Sequence, residues 1–463
     1  MPLIDPLNPR PIHFVGIAGA GMSALAELCA RRGATVTGCD QNPNGADDLT
    51  RLGLAVTHGH DAAHVDGHRA LVVSSAIPKT HPELERARTL GIPVIRRAEA
   101  LAEATAGGQL IGIAGTHGKS TTTVMTTEAL KAGGVDATGV VGARVTAWGG
   151  NLSTGNDTVF VVEADEYDRS FLALKPDVAV VTNIEADHLD IYRDLTDITD
   201  AFGQYVRGAR WIALCADDRH ANALATPASA EVVRYGIESR DARLVARDLE
   251  WVNGRTQFTV VFDRKVLGPV TLGVPGTHNV LNALAALAVG LGTYGMTVPL
   301  MGEGLARFVG AERRFTRVGE AAGVLIVDDY AHHPTEIRAT IQGARAAYAD
   351  RRLVVAFQPH LFSRTRDFAP EFAAALGAAD VVFLSDIYPA REQPIVRVTS
   401  ALIADAMTLA GKTPLWTGAR NAMAEALSHT VRAGDLVLTV GAGDVTHTGP
   451  ELLALLRARG TGT

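Results

Sequence analysis

The chain has 463 residues, of which 47% are hydrophobic and 20% are charged, and its formal net charge at pH 7 is −7. This length is enough for about three domains, each with its own core. The sequence has no block of basic residues, which argues against a nucleic-acid partner and against binding to an anionic membrane surface. The three cysteines, Cys29, Cys39 and Cys215, show no C-x-x-C pairing, which is typical of buried thiols in a reducing compartment.

Two further features favour a cytoplasmic protein. No cationic segment precedes an apolar run at the N-terminus, so no secretory signal peptide is predicted. The longest apolar stretch, residues 281–296, contains Asn282 and three glycines. It therefore predicts a core helix that ends at a turn, and not a membrane span.

The N-terminal segment alternates apolar strands with helical stretches, which predicts a parallel sheet covered by helices. Its first predicted strand begins at Ile12, and the others cover residues 34–38, 70–75 and 92–95. Gly19, Gly21 and Ala24 form G-x-G-x-x-A after the first strand, and Asp40 follows about twenty residues later. In this fingerprint a diphosphate rests on a helix N-terminus. An NAD-dependent dehydrogenase, a protein that binds another diphosphate such as a nucleotide sugar, and a structural turn all satisfy it.

The most informative motif follows the apolar run at residues 110–114 and reads G-T-H-G-K-S-T-T from Gly115 to Thr122. A strand that breaks into a glycine-rich turn before a helix forms a phosphate cradle, because backbone N–H groups converge on the anion. The lysine reaches the outer phosphates, and the next hydroxyl can ligate Mg²⁺. The motif predicts ATP or GTP binding, the alternative being an ordinary turn with a surface lysine. A second phosphate cradle also argues against a dehydrogenase, which needs only one.

Magnesium requires hard oxygen ligands, and two apolar strands end in such groups. Glu163 follows residues 159–162, and Asn183, Asp187 and His188 follow residues 178–181. We predict Glu163 as a metal ligand, and His188 as either a metal ligand or a proton acceptor. The acidic residues just after Glu163 are predicted to be helix caps and helix-start charges; they are Asp165, Glu166 and Asp168.

The C-terminal third contains apolar runs at residues 324–327, 353–357, 381–384 and 436–440, which predict a second doubly wound sheet. Polar clusters accompany these runs. Asn279 and Asn282 open a helix and could contact a nucleotide base or form a cap. The pair Arg313–Arg314 could clamp a transferred phosphate or simply be solvated. The stretch from Asp328 to Glu336 holds two adjacent histidines, of which one or both could face substrate.

Taken together, the ordered motifs resemble those of the Mur ligases, ATP-dependent amide ligases of bacterial cell-wall precursor synthesis. The matching blocks are GIAGAGM, GTHGKSTT, EADEYDRSF, TNIEADHLD, HNVLNALAA, RRF, DDYAHHPTEI, FQPHLFSRT and GAGD. The resemblance implies an α/β fold with three domains. They are a Rossmann-like UDP-sugar domain at residues 1–106, a central P-loop ATPase-like domain with a parallel sheet and helices at 107–311, and a Rossmann-like domain at 312–463 that binds the amino acid and closes.

The resemblance also implies roles for the matching residues. UDP-sugar contacts fall on Gly19, Ala20, Gly21, Met22, Asp40, Ser74 and Ser75. ATP contacts fall on Gly115, Thr116, His117, Gly118, Lys119, Ser120, Thr121, Asn279, Asn282, Arg314 and Asp328. Mg²⁺ ligands fall on Ser120, Glu163 and His188, and catalytic roles fall on Lys119, His188, Arg314 and His332.

The implied reaction is ATP-dependent ligation of L-alanine to UDP-N-acetylmuramate through an acyl phosphate, by a monomer or a weak homodimer. Residues 202–210 lack the lysine that is carbamoylated in several Mur ligases, which is characteristic of the alanine-adding branch. The nearest alternative is the related ligase that attaches a recycled tripeptide, which shares the E-A-D-E-Y-D block. A catalytically silent nucleotide-binding scaffold is disfavoured by the intact lysine, hydroxyl and acid.

Overall fold

The computed structural model describes residues 3–5, 7–43, 46–252, 255–308, 310, 312–390 and 392–460. The chain forms two compact units. The first unit comprises Met1–Leu249, Phe258–Thr271 and Val280–Phe308, and the second comprises Glu250–Gln257, Leu272–Asn279 and Val309–Thr463. Within the described residues, the strands form sheets of five, ten and six strands.

The five-stranded sheet lies in the first unit and is wholly parallel, with the order β3-β2-β1-β4-β5. Its strands are β1 (Ile12–Val15), β2 (Val36–Asp40), β3 (Ala55–His58), β4 (Ala70–Val73) and β5 (Val94–Arg96). Its helices are α1 (Ala20–Arg31), α2 (Asp47–Arg51), α3 (Pro82–Thr89) and α4 (Arg97–Ala104). The strand order reverses between β1 and β4, so the loop after β1 lies where ligands bind in such sheets.

The ten-stranded sheet has the order β15-β14-β13-β12-β11-β10-β6-β9-β7-β8. Its strands are β6 (Gln109–Ala114), β7 (Thr138–Val145), β8 (Gly150–Ser153), β9 (Val159–Glu163), β10 (Val178–Val181), β11 (Trp211–Cys215), β12 (Glu231–Gly236), β13 (Leu244–Val252), β14 (Arg255–Phe262) and β15 (Lys265–Leu272). The accompanying helices are α5 (Lys119–Ala132), α6 (Leu195–Val206), α7 (Arg219–Asn222), α8 (Thr277–Tyr294) and α9 (Val298–Arg307). Because β6 runs parallel to both β9 and β10, all three strands end at one edge.

The six-stranded sheet lies in the second unit, with the order β16-β17-β21-β18-β19-β20. Its strands are β16 (Thr316–Ala321), β17 (Val324–Asp329), β18 (Arg352–Phe357), β19 (Val381–Ser385), β20 (Trp416–Gly418) and β21 (Asp435–Val440). Its helices are α10 (Pro334–Ala347), α11 (Phe362–Asp367), α12 (Ala369–Leu376), α13 (Ala401–Leu409), α14 (Arg420–Thr430) and α15 (Thr448–Gly460). Only the edge strand β16 is antiparallel to its neighbour.

The predicted α/β class with three sheet-containing domains is confirmed, and the predicted strand at residues 178–181 matches β10. The predicted core helix corresponds to α8, whose described positions from Val280 to Val289 are largely buried. The sequence patterns do not predict the β7–β8 hairpin or strands β13–β15. The domain boundaries at 106/107 and 311/312 stay predictions. Within the described residues, no helix combines the length and the hydropathy that crossing a membrane requires.

Candidate active site

The predicted phosphate cradle, which we call the P-loop (residues 115–118), joins β6 to α5. Gly115 and Gly118 have φ angles of +145° and +82°, which favour glycine. A Cβ at Gly115 would lie 1.9 Å from Oγ1 of Thr182, and one at Gly118 would lie 2.6 Å from Oδ1 of Asn282. Both glycines are therefore required by the turn and by the close approach of neighbouring groups.

The end of β10 holds the P-loop in place. The Asn183 carbonyl accepts from the Thr116 N–H at 3.0 Å, and its side-chain oxygen accepts from the His117 N–H at 2.8 Å. The Asn183 amide and the Thr182 hydroxyl both donate to the His117 carbonyl, at 3.0 Å and 2.6 Å. These bonds fix the peptide planes of the loop before any phosphate arrives, which is the preorganisation that phosphate binding requires.

Lys119 folds back over the P-loop. Its Nζ donates to the carbonyls of Gly115 and Thr116, at 2.7 Å and 3.1 Å, and lies 2.7 Å from Oε2 of Glu166. Burial works to lower the pKa of Lys119, but the nearby carboxylates of Glu166 and Asp165 outweigh it and raise the pKa above its ordinary value. The ammonium group therefore stays charged.

Glu166 stands at the N-cap position of the 3₁₀ segment Tyr167–Ala173, as predicted, but its side chain makes no cap hydrogen bond. The side chain is instead almost fully buried against Lys119. Burial raises the pKa of Glu166, and Lys119 opposes that shift. Asp165 does make a local turn bond, accepting from the Tyr167 N–H at 3.1 Å. Asp168 instead pairs with Arg96 at 3.0 Å.

Ser120 and Glu163 form a pair of oxygen donors beside the P-loop. The Ser120 hydroxyl donates to Oε1 of Glu163 at 2.9 Å, and Oε2 of Glu163 accepts from the Gly142 N–H at 2.7 Å. A carboxylate and a hydroxyl are the hard oxygen ligands that Mg²⁺ prefers. The residues present therefore fit the predicted magnesium site at the ends of β6 and β9.

His188 lies close to the buried Lys119–Glu166 pair. Its Nε2 is 3.7 Å from Oε1 of Glu166 and 3.8 Å from Oδ2 of Asp187. Its backbone has a φ of +53°, which is uncommon for a residue with a Cβ and is often found at functional positions. These contacts suit a proton acceptor next to a charged pair. The assignment of His188 as a metal ligand stays a prediction.

The Gly loop (residues 16–21) lies in the same unit and comprises the turn after β1 and the first two residues of α1. Oδ2 of Asp40 accepts from the Ala18 N–H at 3.0 Å, and the side-chain amide of Asn151 donates to the Ala20 carbonyl at 2.9 Å. A Cβ at Gly21 would come within 2.6 Å of Nη1 of Arg97. The predicted fingerprint is thus a loop held by hydrogen bonds, with the Arg97 guanidinium group lying next to Gly21.

A cavity of about 300 Å³ connects the Gly loop to the predicted magnesium ligand. Its lining residues are Gly16, Gly19, Ala20, Gly21, Met22, Ser74, Arg97, Leu101, Val140, Val141, Gly142, Glu163 and Asp165. Most of the predicted UDP-sugar residues therefore share one cavity with Glu163. Ser75 lines a different cavity, of about 140 Å³, together with Arg96, Arg97 and Asp168.

In the second unit, the two predicted arginines have different contacts. Nε of Arg313 lies 3.1 Å from Oδ2 of Asp328. Asp328 is buried and also accepts from the hydroxyls of Thr439 and Thr446, at 2.6 Å and 2.9 Å. Arg314 lies 3.7 Å from Glu336 and 5.3 Å from the centre of the Tyr330 ring. The geometry thus makes Asp328 an anchor for Arg313, and its contact with ATP stays a prediction.

The adjacent histidines also differ. His333 is buried and caps α10, accepting from the Thr335 N–H at 3.4 Å. His332 is partly exposed, and its Nδ1 lies 3.1 Å from the Tyr330 carbonyl oxygen and 3.2 Å from Glu336. Of the two, only His332 is exposed enough to face a substrate.

The two predicted asparagines are both buried. Asn279 donates to the Pro275 carbonyl at 2.6 Å, and Asn282 accepts from the Thr122 hydroxyl at 3.2 Å. The contact of Asn279 is local, whereas Asn282 contacts α5, the helix that follows the P-loop. Their assignment as nucleotide-base contacts stays a prediction.

The family of the chain follows from its similarity to known proteins. Three family models match the chain: "Mur ligase family, catalytic domain" at residues 11–109, "Mur ligase middle domain" at 113–290 and "Mur ligase, glutamate ligase domain" at 313–443. The UDP-N-acetylmuramate–L-alanine ligase of Acidothermus cellulolyticus is 45% identical over 459 residues, which cover 97% of this chain and 96% of that protein. The chain belongs to the Mur ligase family.

Other relatives support the same family assignment. The enzyme of the same name from Kineococcus radiotolerans is 47% identical over 461 residues, covering 97% of this Mur ligase and 96% of that protein. The crystal structure of UDP-N-acetylmuramate-alanine ligase MurC from Thermotoga maritima matches with a TM-score of 0.83 at 28% identity, covering 97% and 99% of the two chains. A murein peptide ligase from Psychrobacter arcticus matches with a TM-score of 0.71 at 26% identity, with the same coverage.

Sequence reasoning misses two site residues of this Mur ligase. The position of Glu166 near a helix start suggests a cap, although its place in the E-A-D-E block beside a P-loop could have marked it as a partner for Lys119. Arg97 begins α4, a helix with several charged residues, and only its position over Gly21 and its 3.2 Å contact with Asp165 distinguish it.

Proposed function

We propose that this Mur ligase joins L-alanine to the lactyl carboxylate of UDP-N-acetylmuramate, consuming ATP with Mg²⁺ and releasing ADP and phosphate. The observation that carries the proposal is the cavity of about 300 Å³ that Gly-loop residues share with Glu163. A diphosphate bound at the Gly loop would lie beside the residues that would hold the magnesium ion and the triphosphate. Near-full-length relatives named UDP-N-acetylmuramate–L-alanine ligase support the choice of substrates.

The reaction must solve a problem of chemistry. A carboxylate is a poor acyl donor because its leaving group would be oxide. Transfer of the γ-phosphoryl group of ATP to a carboxylate oxygen forms an acyl phosphate and releases ADP. The neutral amine of L-alanine then attacks the carbonyl carbon, the bond from that carbon to the phosphate oxygen breaks, and the amine loses a proton.

Two anions must meet in the first step, so the protein mainly neutralises and aligns charge. The Lys119 ammonium group is held over the P-loop and stays protonated, so it can contact the outer phosphates. Ser120 and Glu163 would hold Mg²⁺, which neutralises phosphate charge when bound. Arg314 is proposed to contact the transferred phosphoryl group, and Asp40 with Arg97 to position the UDP-sugar.

The amine must lose its proton, and two histidines are candidates to accept it. His188 lies beside Glu166 in the first unit, and His332 lies beside Glu336 in the second. A carboxylate within about 4 Å stabilises the imidazolium form that accepting a proton would create. The pH dependence of turnover in the His188→Gln and His332→Gln variants distinguishes them, because only loss of the acceptor removes the acidic limb of the profile.

A second candidate function is attachment of a recycled tripeptide to the same sugar nucleotide. The match to a murein peptide ligase, with a TM-score of 0.71, is the observation in its favour. The match to the alanine ligase structure is higher, at 0.83, and covers as much of the chain. L-Alanine is therefore the favoured amine.

Phosphate release from purified protein with ATP, Mg²⁺ and UDP-N-acetylmuramate tests the proposal. The expected result is release that depends on L-alanine, with a product whose mass exceeds that of the sugar nucleotide by one alanyl residue. Release with the tripeptide only would favour the recycling activity. If no phosphate is released with either amine, both proposed activities are contradicted. Glycine and L-serine serve as competitors, since single contacts in an amino-acid pocket discriminate by about 1–3 kcal/mol.

A further inference from the structure

The five-stranded sheet buries a cluster of potential metal ligands that the proposed reaction does not use. It consists of His13 on β1, Cys39 on β2, His64 in the 3₁₀ turn Ala62–Val65, and Glu83 on α3; we call it the His/Cys/Glu cluster. Cys39 and Glu83 are fully buried and His13 is 3% exposed, while the His64 side chain is 22% exposed. Its four members come from four different elements.

The distances between these side chains fit a tetrahedral zinc centre. Zinc bonds of about 2.0–2.3 Å to nitrogen, oxygen and sulfur place neighbouring ligand atoms roughly 3.3–3.8 Å apart. Nε2 of His13 lies 3.3 Å from Sγ of Cys39, Sγ lies 3.1 Å from Oε1 of Glu83, and Nδ1 of His64 lies 3.1 Å from the same oxygen. All four ligand atoms lie within 4.8 Å of one another. Small side-chain rotations would therefore enclose an ion.

The charges of the cluster also suit a divalent cation. The Glu83 carboxylate is fully buried. It lies near His60 and His64, at 3.6 Å and 3.1 Å, and Oε1 also accepts from the Asp61 N–H and from the Cys39 S–H, both at 3.1 Å. A buried carboxylate is costly unless a positive charge or several hydrogen bonds compensate it. A divalent cation bound by one thiolate, one carboxylate and two neutral imidazoles is electrically balanced.

The surroundings orient the ligands as metal sites require. Nδ1 of His13 lies 2.9 Å from the Thr37 hydroxyl, which in turn contacts Nε2 of His68 at 2.8 Å. A ligating histidine usually uses its second ring nitrogen in a hydrogen bond of this kind, which fixes the direction of the first. Nε2 of His13 is thereby turned toward Cys39.

We propose that His13, Cys39, His64 and Glu83 bind one zinc ion. Four protein ligands close the coordination sphere, which is the arrangement of structural and not catalytic zinc. Thiolate and imidazole favour zinc over Mg²⁺, so this centre is chemically distinct from the oxygen pair at Ser120 and Glu163. On binding, the Cys39 S–H bond breaks, a sulfur–zinc bond forms and the proton passes to solvent.

The centre would stiffen the Gly loop. The Cys39 carbonyl accepts from the N–H groups of Gly16 and Ile17, at 2.8 Å and 3.1 Å. A metal bonded to the Cys39 sulfur would therefore fix a residue that is itself hydrogen-bonded to the Gly-loop backbone. The ion would also tie α3 and the 3₁₀ turn to β1 and β2. We expect bound zinc to raise the thermal midpoint of the whole chain.

Cobalt substitution tests the proposal on the unaltered full-length protein. The chain is stripped of metal with a chelator, dialysed and titrated with Co²⁺. The expected result is a thiolate-to-cobalt charge-transfer band in the near ultraviolet, with visible bands of tetrahedral intensity, both removed by one equivalent of Zn²⁺. Absence of the charge-transfer band in the wild-type chain would overturn the proposal, whatever the ligase activity.

Variants assign the site. Cys39→Ser is expected to abolish the charge-transfer band, while Cys29→Ser and Cys215→Ser, which alter the other two buried thiols, keep it. In competition with a colorimetric chelator, Cys39→Ser and Glu83→Gln should weaken zinc binding at least about a hundredfold. His58→Ala changes an exposed histidine at the end of β3 and should leave it unchanged. A band that survives in Cys39→Ser, or is lost in Cys29→Ser, would contradict the assignment.

Discussion

The first unit contains two glycine-rich loops of similar build, and their difference is informative. The Gly loop joins β1 to α1, and the P-loop joins β6 to α5. Each follows a buried strand that is parallel to both of its neighbours and leads into a helix N-terminus, where backbone N–H groups suit an anion. Both loops therefore have the backbone of a phosphate site.

The side chains around the two loops differ. The P-loop is followed directly by Lys119 and Ser120, and Glu163 faces the serine hydroxyl at 2.9 Å. The Gly loop has no such lysine, and its acid, Asp40, binds the loop backbone at 3.0 Å. Under the proposed function, the backbone of each loop would bind an anion, and side chains from neighbouring elements would select a metal-bound triphosphate at one loop and a sugar diphosphate at the other.

The largest expected effect comes from removing Lys119, the lysine that directly follows the P-loop and has no counterpart in the Gly loop. Lys119→Ala should reduce kcat at least about a hundredfold, because a preorganised charge next to the transferred phosphoryl group is lost. Steady-state phosphate release measures this. Lys131→Ala, near the end of the same helix α5, is the matched control and should turn over normally.

Circular dichroism and thermal unfolding of Lys119→Ala establish whether the fold is intact, since the substitution removes the ionic partner of buried Glu166. Near-normal turnover in a folded Lys119→Ala protein would contradict the assignment of this loop to the triphosphate.

The next largest effect concerns Glu163, the acid at the end of β9 beside the P-loop. Glu163→Gln replaces a charged oxygen ligand with a neutral one, so the Mg²⁺ concentration for half-maximal activity should rise about tenfold or more. Titration of activity with Mg²⁺ at saturating ATP measures it. Glu238→Gln, at an exposed acid, should leave the Mg²⁺ dependence unchanged, and an unaltered Mg²⁺ requirement in Glu163→Gln would exclude Glu163 as a ligand.

The acid of the Gly loop should behave differently. Asp40→Ala removes the carboxylate that accepts from the N–H groups of Ala18 and Asn42. Hydrogen bonds to a charged group contribute about 1.5–3 kcal/mol, so the KM for UDP-N-acetylmuramate should rise about tenfold or more. The KM for ATP should not change, and neither KM should change in the control Asp47→Ala on α2. Equal increases in both KM values would contradict the assignment of the two loops to different ligands.

The smallest effect tests whether the loop glycines are required by geometry. Gly203 lies inside α6, where an added Cβ would meet nothing within 4 Å. Gly203→Ala should therefore stabilise the protein by about 0.5–1 kcal/mol through helix propensity, measured as a small rise in thermal midpoint. Gly115→Ala, whose Cβ would collide with Thr182, should instead lose ATP binding; equal tolerance of both substitutions would contradict the close packing of Thr182 against the P-loop.

The sequence predicts the parts of the molecule that depend on local pattern. Apolar runs that end at a glycine or a polar residue identify β1, β6, β9 and β10, because parallel strands are buried on both faces. Strand β14 has no continuous apolar run and no motif at its end. Its alternation of buried and exposed positions is the pattern of a half-buried strand, which differs from the apolar runs that mark the strands named above.

Long-range contacts set the limit of sequence reasoning. Glu166 meets Lys119 from 47 positions along the chain, and its burial follows from that meeting and not from its neighbours in sequence. The His/Cys/Glu cluster escapes prediction for the same reason. His13 and Glu83 are brought together by the order of the strands in the sheet. The sequence contains no short spacing of cysteine and histidine that would indicate a metal site.

Titration calorimetry of the wild-type protein shows whether the two similar loops hold two different phosphates at once. MgATP and UDP-N-acetylmuramate are each titrated alone and then in the presence of a saturating concentration of the other, with ADP or a non-hydrolysable ATP analogue where turnover must be prevented. The expected result is one site for each ligand, with neither ligand displacing the other. Competition between the two for a single site, or no uptake of MgATP at millimolar concentrations, would contradict it.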